Sequence, residues 1–213
     1  FLSMGVGGWR TFEPVVYLLH DDPGLVHDIL NLYGDFGARL AERILREVDV
    51  DCAIFSEPIG GNDGPLLSPR AYEEFLLASY QPILDVARRC GVETFVYVTY
   101  GNSRVLMPSV VRAGFNCLWA YEVNVEAMDY LSLRRRFGRD LRLIGGIDLD
   151  VLLAGKAAIR REMERVVPPL LAQGGYVPLA DGRVRANVPF HHYCYYRCLL
   201  EQLTPGAAKR PPA

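Results

Sequence analysis

Carboxylate and amide side chains follow the ends of five short apolar runs in this chain. The runs cover residues 51–55, 94–98, 117–121, 141–147 and 176–179. Four of them lead, within about two residues, to an acid, and the remaining run leads to an amide: the five side chains are Glu57, Asn102, Glu122, Asp148 and Asp181. Positioned carboxylates can hold or transfer protons, so these are the first candidates for chemistry.

Each apolar run is followed by a turn and then by an amphipathic pattern typical of a helix. This repeated unit predicts a parallel β/α barrel, in which the carboxyl ends of all strands open on one face and carry the site. A closed barrel of this class has eight strands and typically about 250 residues. The chain has 213 residues and five apolar runs, so we expect an α/β fold of the TIM type that is incomplete and carries about the last five βα units.

Helical periodicity places the other elements. Apolar residues at intervals of three and four predict a long amphipathic helix over about 23–47, after a Gly-rich opening. Pro82 predicts a kink in the next helix. Further helices are predicted at 69–90, 103–113, 125–137, 155–173 and 189–203, and most of them end at a glycine. We expect one domain over residues 1–203 and a disordered tail over 204–213.

Composition and charge exclude several classes of function. The formal net charge of −2 offers no electrostatic footprint for nucleic acid, so we expect no DNA or RNA partner. The sequence contains no apolar stretch near the roughly 20 residues of a membrane span, and a cytoplasmic protein without membrane contact is expected. The five cysteines are odd in number and scattered, which favours free thiols in a reducing compartment over disulfides or a metal site.

Several short motifs, in order, resemble the uroporphyrinogen decarboxylase superfamily. They are Gly64-Pro65-Leu66-Leu67-Ser68-Pro69, Tyr100-Gly101-Asn102 with Leu106-Met107-Pro108, Gly145-Gly146-Ile147-Asp148 and Gly174-Gly175-Tyr176-Val177-Pro178. The resemblance runs from about Asp22 to Leu203. It implies a β/α barrel shared by the haem-pathway decarboxylase and by zinc methyltransferases that serve corrinoid and thiol cofactors. It also implies that the first strands of the barrel are missing.

At several positions where the resemblance implies a functional residue, this chain carries a different side chain. The zinc methyltransferases place a His and a Cys where this chain has Val98 and Tyr100, and a further Cys at the last strand, where this chain has Asp181. A thiol-activating zinc site is therefore not expected, and a hard cation on Glu57, Glu122 and Asp181 is a weaker alternative. The decarboxylase places a His in a GHG motif where this chain has Ala180-Asp181-Gly182, a departure from the haem-pathway pattern.

Most of the candidate residues have a structural alternative. Glu57 could be an N-cap or a loop anchor rather than a pocket acid, whereas Glu122 has no obvious structural duty. Asp148 opens a helical turn and Asn102 follows a Gly in a turn, so capping alone would explain both. Arg104 could meet an anionic substrate or stay solvated. Asp181 is followed by Arg183 and Arg185, which could neutralise it or bind a substrate carboxylate.

The resulting hypothesis is a uroporphyrinogen decarboxylase-like enzyme acting on an anionic small molecule, without metal or cofactor. In it Glu57 and Asp181 are catalytic, and Asn102, Arg104, Glu122 and Asp148 bind substrate. Decarboxylation of this kind needs a positioned acid and groups that hold carboxylates. One alternative is methyl transfer with a separate corrinoid protein docked over the barrel mouth, and another is a truncated, non-catalytic barrel fragment. Assembly into a homo-oligomer is also left open.

Overall fold

Five parallel strands form one sheet, and their spatial order follows their order in the chain. The computed structural model describes residues 9–121 and 127–204. The strands are β1 Ala53–Glu57, β2 Phe95–Thr99, β3 Cys117–Ala120, β4 Arg142–Ile147 and β5 Tyr176–Ala180. Each strand pairs in parallel with the next. The predicted α/β fold with five strands of an incomplete barrel is therefore confirmed, with strand ends shifted by one or two residues.

Helices precede the sheet and connect its strands. They are α1 Trp9–Asp21, α2 Pro23–Leu45, α3 Pro69–Ala71, α4 Ala78–Arg89, α5 Met107–Arg112, α6 Tyr130–Phe137, α7 Lys156–Gln173 and α8 Phe190–Leu203. A π-helical turn, Tyr72–Leu77, joins α3 to α4. Single 3₁₀ turns cover Arg104–Leu106 and Leu149–Leu152. None of the helices in the described ranges is long and apolar enough to cross a membrane.

Local sequence explains the start and packing of α2. The Oδ1 atom of Asp22 accepts a hydrogen bond from the backbone N–H of Leu25 at 3.0 Å, and Pro23 supplies the first helical residue. The buried side of α2 faces α4, where a Cβ on Gly34 would stand 2.5 Å from the carbonyl oxygen of Ser79. Glycine at this position therefore lets the two helices pack closely.

Alternation along the strands divides the side chains between two faces of the sheet. Phe55, Tyr97 and Leu118 contact the large core beneath the helices. The opposite face corresponds to the interior of a barrel, and its small apolar cluster contains Val96, Val98 and Cys117 with Cys52, Trp119, Tyr121 and Ile144 packed against it. The helix-facing core is thus the larger of the two layers.

Three helical features differ from the sequence prediction. Helix α1 was not predicted, because Pro14 and the preceding glycines interrupt the pattern, yet Phe12, Val15 and Leu18 pack on the main core. The sequence predicted a kink at Pro82 in α4. The structure has a π-helical turn just before this helix, over Tyr72–Leu77. Helix α6 begins at Tyr130 and is capped by Asp129, whose Oδ2 accepts from the N–H of Ser132 at 3.0 Å. The predicted start near residue 125 lies outside the described residues, and residues 127–129, which are described, precede the helix.

Both lateral edges of the sheet are open within the described ranges. β1 and β5 each pair with one neighbouring strand. Ile54 on β1 and Val177 on β5 are 58% and 56% exposed. A closed barrel covers such edges by pairing them with further strands.

Candidate functional site

A cavity of about 550 Å³ lies at the carboxyl ends of β2 to β5. Its lining residues follow these strands directly: Tyr100, Tyr121, Asp148, Leu149, Asp150, Asp181, Gly182, Arg183 and Arg185. Parallel strands deliver their carboxyl ends to one edge, which explains why residues so distant in sequence meet here. The volume is within the range of small-molecule sites.

Asp148 and Asp181 are held by backbone amides of one turn. Oδ1 of Asp181 accepts a hydrogen bond from the N–H of Leu149 at 2.7 Å, and Oδ1 of Asp148 accepts from the N–H of Asp150 at 2.8 Å. Asp181 is 2% exposed and its own N–H donates to the carbonyl of Ile147 at 3.0 Å. Both carboxylates therefore stabilise the 3₁₀ turn after β4, as well as lining the cavity.

The cavity is a mixed acidic and basic environment. Burial raises the pKa of Asp148, an effect that its hydrogen bond from the Asp150 N–H opposes and the nearby carboxylates of Asp150 and Glu162 reinforce. A carboxyl group whose pKa is raised keeps a proton to higher pH than a solvated one. Asp148 therefore keeps its proton to a higher pH than a solvated aspartate does.

Two tyrosines form one wall of the cavity. The ring centroids of Tyr100 and Tyr121 lie 4.7 Å apart, with the planes tilted by 50°. Partial burial raises the pKa of Tyr121, Tyr100 adds to the effect and Arg183 opposes it. The wall offers an apolar surface with hydroxyl groups for a ring-containing ligand. Sequence reasoning missed both tyrosines, although each directly follows a strand, the same signal that identified the acids.

Two arginines from the loop after β5 face the same cavity. Arg185 donates through Nη1 to Oδ1 of Asp150 at 2.5 Å, with both side chains largely exposed. Arg183 forms no ion pair with any residue of the described ranges. The cavity therefore presents one paired cation and one whose charge is available to an anionic ligand.

Glu57 does not line this cavity. In the register of β1 with β2, Glu57 lies beside Thr99 and follows Phe55, and these residues lie on the helix-facing side of the sheet. Its carboxylate is 1% exposed and accepts a short hydrogen bond from the Tyr80 hydroxyl on α4. The expected convergence of Glu57 and Asp181 on one pocket is wrong, because strand alternation sends Glu57 to the opposite face.

Asn102 and Arg104 also lie outside the lining of the cavity. The N–H of Asn102 donates to the carbonyl of Gly61 at 2.8 Å, and its Oδ1 accepts from the N–H of Arg104 at 3.3 Å. The Arg104 side chain is exposed. The loop after β1 thereby docks onto the loop after β2, at the isolated bridge between Gly61 and Asn102. Glu122 lies outside the described residues.

The positions that would supply zinc ligands in the related methyltransferases carry other side chains. Val98 is buried in the apolar cluster on the interior face, and Tyr100 lines the cavity. Neither is a usual zinc ligand. In residues 9–121 and 127–204, no group of three or more His, Cys, Asp or Glu side chains is arranged to hold a metal ion. The proposed absence of zinc stays a prediction.

The sheet and its cavity define an incomplete β/α barrel with a site at the carboxyl ends of its strands. The profile of the uroporphyrinogen decarboxylase (URO-D) family matches residues 2–179 of the chain. The chain therefore belongs to the uroporphyrinogen decarboxylase family, as the sequence motifs indicated.

Curated proteins named uroporphyrinogen decarboxylase are similar to this chain over most of its length. The protein from Ectopseudomonas mendocina is 26% identical over 203 residues, covering 92% of this chain and 53% of its own length. The Pseudomonas aeruginosa protein is 25% identical with the same coverage. The Shewanella piezotolerans protein is 26% identical over 168 residues, covering 76% of this chain and 44% of its own length. The chain thus spans about half the length of the curated relatives it matches.

Proposed function

We propose that the chain forms the carboxyl-end part of a decarboxylase site for an anionic, ring-containing small molecule of the uroporphyrinogen class. The observation that carries the proposal is the cavity at the strand ends, where Arg183 and Arg185 face Asp148 beside the Tyr100 and Tyr121 wall. The names of the relatives supply the substrate class. Uroporphyrinogen carries several carboxylates on a non-planar ring of four pyrroles, so it calls for cations, an apolar wall and a proton donor.

The residues divide these roles by their chemistry. Arg183 binds a substrate carboxylate through the charge-assisted hydrogen bonds that guanidinium groups form with carboxylates. Arg185 also binds a substrate carboxylate, after giving up its ion pair with Asp150. Both side chains of this pair are exposed, so its loss costs little free energy. The tyrosine wall contacts the ring.

Loss of carbon dioxide from such a substrate requires protonation of the pyrrole carbon next to the one that bears the carboxymethyl side chain. The bond between the CH2 group and the carboxylate then breaks, and its electron pair forms an exocyclic double bond to the ring. Addition of a proton to that CH2 carbon and loss of the ring proton restore the pyrrole and leave a methyl group. Asp148 is our candidate to hold the proton, because burial raises its pKa. Asp181 is assigned to positioning, through its hydrogen bond to the Leu149 N–H. The methyl-transfer alternative gains no support from Val98 and Tyr100.

Binding and turnover are tested separately, since the relatives are about twice as long. Uroporphyrin, the oxidised and fluorescent form, reports binding to the full chain, and release of carbon dioxide from uroporphyrinogen reports turnover. We expect Arg183→Ala to weaken binding by about tenfold, and Arg161→Ala, an exposed residue on α7, to leave it unchanged. Binding without turnover supports the non-catalytic alternative. Absence of binding refutes the proposed site.

A further inference from the structure

A second basic cluster lies at the opposite ends of the strands from the cavity. Arg134 belongs to α6, Arg139 to the turn that follows, and Arg142 is the first residue of β4. All three approach the Gly174-Gly175 turn that leads into β5. We call these three side chains the arginine cluster.

Arg134 is a buried cation whose hydrogen bonds go to neutral groups. It is 3% exposed, and its Nη1 and Nη2 atoms donate to the carbonyls of Gly138 and Gly175, each at 3.1 Å. Its Nε is buried and has no hydrogen-bond partner among the described residues. A buried charge without an opposite charge is costly, so an anion near this side chain would stabilise it.

Arg139 brings a second positive charge to the same turn. A Cβ on Gly174 would stand 3.1 Å from Nη2 of Arg139, and a Cβ on Gly175 would stand 3.9 Å from Nη1 of Arg134. The two guanidinium groups therefore flank adjacent glycines. Burial lowers the pKa of Arg134, and the charge of Arg139 lowers it further.

Arg142 completes the cluster on the β4 side. The Cγ atom of Arg142 lies 3.8 Å from the position that a Cβ on Gly175 would occupy, and the Arg142 side chain is exposed. In the described ranges, no carboxylate lies within 4.0 Å of a nitrogen of any of the three arginines. Asp140, which lies between Arg139 and Arg142 in sequence, is exposed and does not pair with them.

We propose that the arginine cluster binds a phosphate-class oxyanion at the amino ends of β4 and β5. Arg139 and Arg142 contact the anion from two sides of the glycine turn, and buried Arg134 supplies a fixed positive field behind it. Guanidinium groups pair with both phosphate and carboxylate oxygens, and the divalent charge of phosphate suits a cluster of three cations that have no carboxylate partner in the described ranges. This site is separate from the cavity and independent of the proposed decarboxylase function.

The test is calorimetric titration of the full chain with inorganic phosphate, against chloride at equal ionic strength. We expect saturable phosphate binding that Arg139→Ala and Arg142→Ala each weaken by about tenfold. Arg135→Ala is the matched control, since Arg135 is an exposed cation on the same helix without a contact to the glycine turn. Arg139→Lys keeps the charge and should retain part of the binding, which separates loss of charge from loss of fold.

Four outcomes overturn the proposal. The first is absence of saturable binding. The second is equal weakening by Arg135→Ala, which identifies a non-specific ionic effect. The third is weakening by Arg183→Ala, which places the phosphate in the cavity. The fourth is equal or tighter binding of malonate, which identifies a carboxylate site and removes the phosphate assignment.

Discussion

The hydroxyl group of Tyr80 on α4 donates a short hydrogen bond to Oε2 of Glu57 at the end of β1. Burial and the Glu57 charge both raise the pKa of Tyr80, so the phenol keeps its proton and remains the donor. Tyr97 lies nearby and accepts a hydrogen bond from the hydroxyl of Tyr72 at 2.9 Å. Glu57 is thus the acidic centre of a buried group of tyrosines between sheet and helices.

Replacing Glu57 should therefore change stability. In Glu57→Ala the buried hydroxyl of Tyr80 loses its acceptor, and we expect the free energy of unfolding to fall by about 2–3 kcal/mol. Denaturant unfolding of the full chain measures this. The control is Glu47→Ala, an exposed acid after α2, expected to change stability by less than about 0.5 kcal/mol. Full stability of Glu57→Ala together with lost turnover would restore the catalytic role that the sequence predicted.

The placement of Glu57 shows which features of the fold can be predicted from the sequence and which cannot. Alternation places Ala53, Phe55 and Glu57 on one face of β1, and this is readable from sequence. Which face meets the helices is not readable, because Ile54 on the other face is equally apolar and becomes exposed at an open edge. The facing of an edge strand depends on the packing of α4, a contact between distant parts of the chain.

The residues that directly follow β4 and β5 could be placed from the sequence. Each apolar run ended at a turn, and the polar residues directly after β4 and β5, Asp148 and Asp181, do line the cavity. The contact of Asp148 to the 3₁₀ turn is local and was expected from the sequence, whereas Asp181 accepts from the Leu149 N–H across 32 residues of chain. Asn102 and Arg104 lie further beyond the end of β2 at Thr99, in the segment onto which the loop after β1 docks, and they are not part of the cavity lining. The substrate, the oligomeric state and the cytoplasmic location stay predictions.

Gly60 should be required for that docked loop. A Cβ at this position would stand 1.9 Å from the carbonyl oxygen of Tyr100 and 2.5 Å from Oγ of Ser103. We expect Gly60→Ala to lower the free energy of unfolding by about 1–3 kcal/mol, because backbone must move to make room. Thermal unfolding gives the measurement.

Gly64→Ala in the same loop is the matched control for Gly60→Ala. An added Cβ there meets nothing within 4 Å, so stability should change by less than about 0.5 kcal/mol. Equal effects of the two variants would contradict the contact between Gly60 and Tyr100.

Asp148 should make stability depend on pH with a defined sign. Its pKa in the folded chain is raised above the ordinary value of 3.8, so the folded state binds more protons than the unfolded state. The contribution of Asp148 to stability therefore declines as the pH rises from about that value through the folded pKa. Asp148→Asn removes this titration and keeps an oxygen that can accept from the Asp150 N–H.

The pH dependence is measured by denaturant unfolding of the wild type and of Asp148→Asn between about pH 4 and about pH 7, a range that includes the titration of carboxyl groups with raised pKa values. We expect the stability of the wild type relative to the variant to fall as the pH rises. Asp148→Ala also loses the cap and should lie about 1 kcal/mol below Asp148→Asn at each pH. A relative stability of the wild type that rises with pH would show that the carboxyl pKa is lowered instead.

The open edges of the sheet should drive association of the isolated 213-residue chain. Ile54 and Val177 are largely exposed on the two edge strands, where the backbone has no further strand partner within the described ranges. Unpaired edges with exposed apolar side chains are templates for pairing with another chain. Light scattering coupled to size-exclusion chromatography should therefore show a mass above the monomer that increases with protein concentration.

Charge at the edges should oppose this association, and charge elsewhere should not. Ile54→Lys and Val177→Lys place a lysine on an edge strand, a substitution that disfavours edge pairing, and each should shift the chain toward the monomer. Val105→Lys is the matched control, because Val105 is 53% exposed and lies in the turn before α5, away from both edges. A monomeric wild-type chain with a single cooperative unfolding transition would show that the open edges are no liability. An equal effect of Val105→Lys would show that net charge, and not the sheet edge, governs association.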